Sequence, residues 1–170
     1  CAVNSLSTAI VSSARLLTRC TAWARGKYSN MSLSPVPRFD LLRAPDYNAA
    51  AIQTSRGCPF DCEFCDVVHL YGRRFRTKTP AQVLAELEAL YRWGARGPVF
   101  ISDDNFIGDR RHAGRLLEKL IPWMEKRGKP FDFITQVSVN LGQDLELIDL
   151  MTAANFRDVF IGIESPDAEV

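Results

Sequence analysis

From Ala50 onward the chain alternates short apolar runs with longer segments whose apolar residues recur every three or four positions. That alternation constrains the fold most, because apolar strands separated by amphipathic helices build βαβ units around a parallel sheet. Residues 51–55 read as a first strand. A helix then starts at Thr79, with Pro80 in its first turn, Gln82 completing a capping box and Gly94 as the stop. Its apolar face is Val83, Leu84, Leu87, Leu90 and Tyr91. Residues 98–102 form a second strand, whose apolar run predicts burial on both faces. Asp109 caps a second helix with Ala113, Leu116, Leu117, Leu120 and Met124 inward; Pro122 kinks it or marks its last turn, and Gly128 follows. Residues 131–139 make a third strand, 145–154 a third helix stopped by Asn155, and 158–164 a fourth strand. Four strands and three helices form an incomplete wheel of α/β class.

Composition adds exclusions. The 170 residues are 46% hydrophobic and 24% charged, the balance of a soluble globular protein. No run approaches the roughly 18 apolar residues of a membrane span, so the protein is expected not to be transmembrane, and cytoplasmic. A net charge of +1 argues against nucleic-acid binding, which needs basic charge to displace counterions. The charge is segregated: residues 1–39 hold five basic residues and no acidic one. That Ser-rich stretch resembles a transit peptide, against the plainer reading of an unstructured leader. Ser34-Pro35-Val36-Pro37 reads as an extended connector. The expected division is therefore a leader over 1–39 and a folded unit over 40–170. A chain that opens on Cys1 and stops at Val170, just past an apolar run, is expected to be part of something longer.

Three of the five cysteines, Cys58, Cys62 and Cys65, fall in the stretch Cys-Pro-Phe-Asp-Cys-Glu-Phe-Cys directly after the first strand. Three thiolates on one loop can converge on a metal centre, and soft sulfur selects zinc, copper(I) or iron–sulfur clusters. Disulfide pairing leaves one of the three over. His69 would complete a Cys3His zinc site, making the chain a zinc-stabilised binding module without catalysis. Against zinc, all four ligands would sit within twelve residues, with little to staple together, and His69 lies in an apolar run that suggests a partly packed histidine. A four-iron cluster on three cysteines leaves one iron open to a small molecule.

The C-x3-C-x-aromatic-C spacing, with Phe64 before the last cysteine, resembles the signature of the radical S-adenosylmethionine (SAM) superfamily. The resemblance implies the first four strands of a partial (β/α) TIM-like barrel, truncated at its carboxyl end. It makes Cys58, Cys62 and Cys65 the ligands of a 4Fe-4S cluster whose open iron takes SAM, and places Phe64 near the adenine. The implied activity is reductive cleavage of SAM to a deoxyadenosyl radical, with cluster and SAM supplying the hard chemistry. Where the family carries a glycine-rich segment for the SAM amino group, this chain has Ser102-Asp103-Asp104-Asn105-Phe106, which departs from that form but keeps carboxylates. Asp103 and Asp104 are thus candidate SAM contacts, joined by Ser138 and Glu164 at the ends of the third and fourth strands. Gln136, Ser138 and Asn140 would share one side.

Residues 65–80 look like a bacterial subgroup, including the hopanoid methylases, in which a cobalamin-binding domain precedes the radical SAM core. Methylation of an unactivated carbon, cobalamin in a domain absent here, a small or lipid-like substrate, and flavodoxin or ferredoxin as electron donor follow from that analogy. Arg73, Arg74, Arg76 and Lys78 read as a solvated basic loop, with an anion contact as the alternative. With four strands alone, this chain is expected to cleave SAM poorly.

Overall fold

The computed structural model describes residues 30–43 and 46–163. Four strands, β1 (Ala50–Ile52), β4 (Gly97–Ile101), β5 (Phe131–Val137) and β6 (Phe156–Ile161), form one sheet in that order, and every pair is parallel. Three helices return the chain between them or follow them: α2 (Pro80–Trp93), α3 (Arg110–Lys126) and α4 (Leu145–Ala153). Beside them stand an antiparallel ribbon of β2 (Ser55–Arg56) with β3 (Arg76–Thr77), the short helix α1 (Val67–Tyr71), and 3-10 turns over Met31–Leu33, Phe39–Leu41 and Val139–Gln143.

Local chemistry sets the helix ends as expected. Thr79 and Gln82 form the capping box on α2, and Gly94 closes that helix through bonds to the Leu90 and Tyr91 carbonyls. Asp109 accepts the His112 amide at the start of α3, and Asp144 accepts the Leu147 amide at the start of α4. The α3 helix continues past Pro122 to Lys126. Asn155 takes a positive φ of 73°, and the chain turns there straight into β6.

All three helices bury their apolar faces against the same side of the sheet. Val83, Leu87 and Leu90, then Leu116, Leu117 and Leu120, then Leu147 and Met151, join Val99, Ile101, Phe131, Phe133 and Val137 in one core. Trp123 stacks on Phe131 at 5.9 Å, and Phe133 meets Phe156 at 5.2 Å. The opposite face carries Phe100, Ile134, Gln136 and Phe160, which the strand register places side by side. The expected two-sided burial of β4 is therefore corrected: Val99 and Ile101 are buried, whereas Pro98 and Phe100 are exposed. Helices on one face of a curled parallel sheet make a sector of a (β/α) barrel, whose inner face is filled by layers from the other strands. The fold is the expected α/β partial barrel.

Strand boundaries differ from expectation in all four strands, the second only by a one-residue shift to Gly97–Ile101. The first apolar run divides at Ile52, with Ser55 already in the separate ribbon. The third strand ends at Val137, and a 3-10 turn over Val139–Gln143 replaces its last residues. The fourth begins two residues early, at Phe156. Residues 1–29 of the expected leader lie outside the described residues. Its last part is attached to the domain: Met31 is buried, and the Gln82 side-chain amide donates to the Met31 and Ser32 carbonyls.

Candidate functional site

The cysteine loop leaves the carboxyl end of β1 through β2, and its root is held by the segment that follows β4. Ser102 continues the parallel pairing by donating its amide to the Ile52 carbonyl at 2.8 Å. Asp103 is buried, at 2% exposure, and accepts four bonds. One carboxylate oxygen takes the Thr54 and Ser55 amides at 2.6 and 3.0 Å; the other takes both their hydroxyls, that of Ser55 at 2.7 Å. Burial pushes the Asp103 carboxyl above its ordinary range, while those hydrogen bonds pull it back. Asp104 is half-buried and accepts the Gly57 amide at 2.8 Å, one residue before Cys58.

Asn105, also buried, reaches the other way. Its side-chain amide donates to the Ser138 hydroxyl at 3.1 Å, its carbonyl accepts the Ser138 amide at 3.3 Å, and the Cys58 thiol lies within hydrogen-bond reach. Ser138 donates onward to Asn140 at 2.6 Å. The three consecutive residues Asp103, Asp104 and Asn105 thus bond to three neighbouring parts of the chain.

Cys58 and Cys65 are half-buried, Cys62 is exposed, and all three thiols are free. Burial raises the Cys58 thiol above its usual range, against the Phe60 amide and Asn105, which stabilise the thiolate. Phe64 is 67% exposed beside them. Arg73 pairs with Asp61 of the loop at 2.6 Å. Gly57 lies so close to the Gly72–Arg74 backbone that an added Cβ would stand 2.9 Å from the Arg74 carbonyl oxygen. On the far side of that segment, Phe75 covers Gly108.

The expected residues therefore divide. Cys58, Asp104 and Ser138 gather around the loop root, Phe64 stands exposed on the loop, Asp103 is turned inward with every oxygen occupied, and Glu164 lies outside the described residues. Gln136 faces the open side of the sheet, while Ser138 and Asn140 leave the strand alternation because β5 has ended. The basic segment is not a freely solvated loop: Lys78 is buried against Glu86, Arg76 donates to the Tyr71 carbonyl, and Arg73 holds Asp61. His69 is exposed rather than packed. Sequence reasoning missed Thr54, Ser55 and Asn105. The run of four polar residues from Ser102 to Asn105, directly after an apolar strand, was the available signal for Asn105.

The donor set is three soft thiols on one loop. Among the described residues no three His, Cys, Asp or Glu side chains stand close enough to hold one metal ion, whereas tetrahedral zinc needs sulfurs within ~3.8 Å of one another. Three thiols match the cysteine ligands of a four-iron cluster with one open iron in number and softness. A cavity of about 340 Å³ beside Tyr47, Trp93 and Arg96 opens at the amino ends of β1 and β4, the edge opposite the cysteines. Barrel chemistry collects at the carboxyl edge, so the cysteine loop is the candidate site.

The fold and site define a (β/α)-barrel sector with a cysteine loop at its mouth. The chain belongs to the radical SAM superfamily, whose family model matches residues 52–170. It is 51% identical over 140 residues to an uncharacterized methyltransferase of Synechocystis sp., covering 82% of this chain and 26% of that protein. It is 41% identical over 138 residues to the hopanoid C-2 methylase of Rhodopseudomonas palustris, covering 81% of this chain and 26% of that protein. The chain thus spans about a quarter of the length of these curated relatives. The radical SAM methyltransferase TsrM of Kitasatospora setae, solved with cobalamin and a 4Fe-4S cluster bound, shares the fold: TM-score 0.64 and 24% identity, over 71% of this chain and 23% of that one. No helix among the described residues is long and apolar enough to cross a membrane.

Proposed function

We propose that this chain is the cluster-bearing part of a radical SAM methyltransferase. The observation that carries the reading is the three-thiol loop at the carboxyl end of the first parallel strand, in a chain of this superfamily. Cys58, Cys62 and Cys65 would hold a 4Fe-4S cluster, which with SAM supplies one-electron reductive cleavage to a deoxyadenosyl radical. The chain's own residues bind and orient. Phe64 offers an exposed ring that would pack near the adenine. Asp104 has a second oxygen, beyond the one bonded to Gly57, to accept from the SAM ammonium. The Ser138 hydroxyl and the Glu164 carboxylate complete the candidate contacts. Asp103 has no acceptor site left for SAM.

The hopanoid methylase and TsrM resemblances support the wider reading. It comprises methyl transfer to an unactivated carbon of a small or lipid-like molecule, cobalamin held by a domain beyond these residues, electrons from flavodoxin or ferredoxin, and a cytoplasmic location. The division proposed is a leader over 1–39 ahead of a unit over 40–170, with the leader's last part, from Met31, docked on Gln82. Anaerobic reconstitution with iron and sulfide tests the reading: a brown protein with broad visible absorption is expected, and Cys62→Ala should abolish it. A colourless protein holding one zinc per chain would overturn it in favour of the Cys3His module. Among the described residues Phe100 and Phe160 stand exposed on the inner face; the 170-residue chain by itself should cleave SAM poorly, and robust deoxyadenosine formation would contradict that.

A further inference from the structure

We propose that Asp103 and Asp104 are positioning residues, extending the β1–β4 pairing through side chains so that residues 54–57 deliver Cys58 in a fixed place. The backbone ladder between β1 and β4 ends at Ile52 and Ile101. Beyond it the chain carrying the cysteines leaves the sheet, and residues 102–104 follow it one after another: Ser102 on Ile52, Asp103 on Thr54 and Ser55, Asp104 on Gly57. A carboxylate has about four acceptor sites, and Asp103 matches each to a donor. Thr54 and Ser55 are each 1% exposed, so bulk water does not reach their donors and removing the carboxylate leaves them short of acceptors. The consequence for the cluster rests on the function proposed above; the ordering of the loop root does not.

This role differs from a SAM contact in one checkable way. Asparagine at 103 can serve all four partners: its oxygen accepts the two amides, and its NH2 donates to the two hydroxyls, which rotate to accept. A SAM-binding carboxylate would lose its charge in the same substitution. Hydrogen exchange, iron content after anaerobic reconstitution and SAM affinity should therefore be measured on the intact protein. Asp103→Ala is expected to speed exchange at the Thr54 and Ser55 amides by about tenfold or more and to halve iron loading or worse. Asp103→Asn is expected to stay within about threefold of wild type in exchange and SAM affinity, and to load iron as wild type does. If Asp103→Ala fails to fold, Asp104→Ala removes the Gly57 contact, together with the proposed SAM ammonium contact, and should speed exchange at the Gly57 amide whether or not SAM is present. Unchanged exchange in the alanine variants would overturn the proposal. So would a tenfold loss of SAM affinity in Asp103→Asn with wild-type exchange, which would return Asp103 to the SAM site. A wild-type protein that takes up no iron–sulfur cluster would count against the proposed function alone, since exchange still decides the positioning role.

Discussion

Replacing Lys78 by methionine isolates the energetics of the one buried ion pair among the described residues. Lys78 Nζ lies 2.5 Å from Glu86 Oε1, with the two side chains 5% and 2% exposed. Glu86 sits on the buried face of α2 among Val83, Leu87 and Leu90, and the Lys78 amide bonds to the Thr54 carbonyl at the loop root. Burial pushes the Glu86 carboxyl above its ordinary range, and Lys78 holds it down. Methionine keeps the stem but removes the charge, leaving Glu86 to protonate or to remain as a buried unpaired anion. Protonation is the cheaper course, at about 1.4 kcal/mol per pH unit above a carboxyl pKa of ~4.3. The cost of Lys78→Met should therefore be about 1 kcal/mol at pH 5 and up to about 3.7 at pH 7. The sign follows from linkage: a raised folded-state pKa means the native state binds more protons than the unfolded state, so stability falls as pH rises. Urea unfolding followed by circular dichroism at pH 5, 6 and 7 reads this slope. The double variant Lys78→Met/Glu86→Leu should recover to within about 1–2 kcal/mol of wild type without it. Equal destabilisation at pH 5 and pH 7, or none at either, would refute the reasoning.

His112 is 6% exposed, and its Nε2 has no hydrogen-bond partner. Burial lowers its pKa, with Asp109 opposing and Arg115 adding to the shift. Its contribution to stability is present above the unfolded value of about 6.5 and is lost as pH falls below it, so wild-type urea midpoints should decline between pH 6.5 and 5, and His112→Leu should flatten that decline. At Gly57, φ is 88° and a Cβ would meet the Gly72 and Arg74 carbonyl oxygens at 3.0 and 2.9 Å. Gly57→Ala should therefore cost on the order of 2–4 kcal/mol and reduce iron loading at the adjacent Cys58, whereas full loading and wild-type stability would show that the Gly72–Arg74 segment yields freely.

What the sequence by itself determined was local or carried by spacing. The helix starts at Thr79 and Asp109 are contacts three residues apart, and the stop at Asn155 is a single backbone angle, so each is complete within a few neighbours. The core faces of α2 and α3 follow from helical period, and the cysteine spacing with Phe64 was enough to indicate the superfamily. The tertiary structure alone decided the rest. Asp103 is 49 residues from Thr54, and only the parallel pairing of β1 with β4 brings its carboxylate onto the Thr54 and Ser55 donors. An apolar strand reads the same whether one face or both are covered, so the open inner face of β4 and β5 appeared only with the helices in place. Lys78 looked like one of several exposed cations until α2 brought Glu86 against it in a site that excludes water. Local signals survive in sequence because their partners are neighbours in the chain. The role of a polar side chain depends on what the fold brings to it and on how much water it leaves.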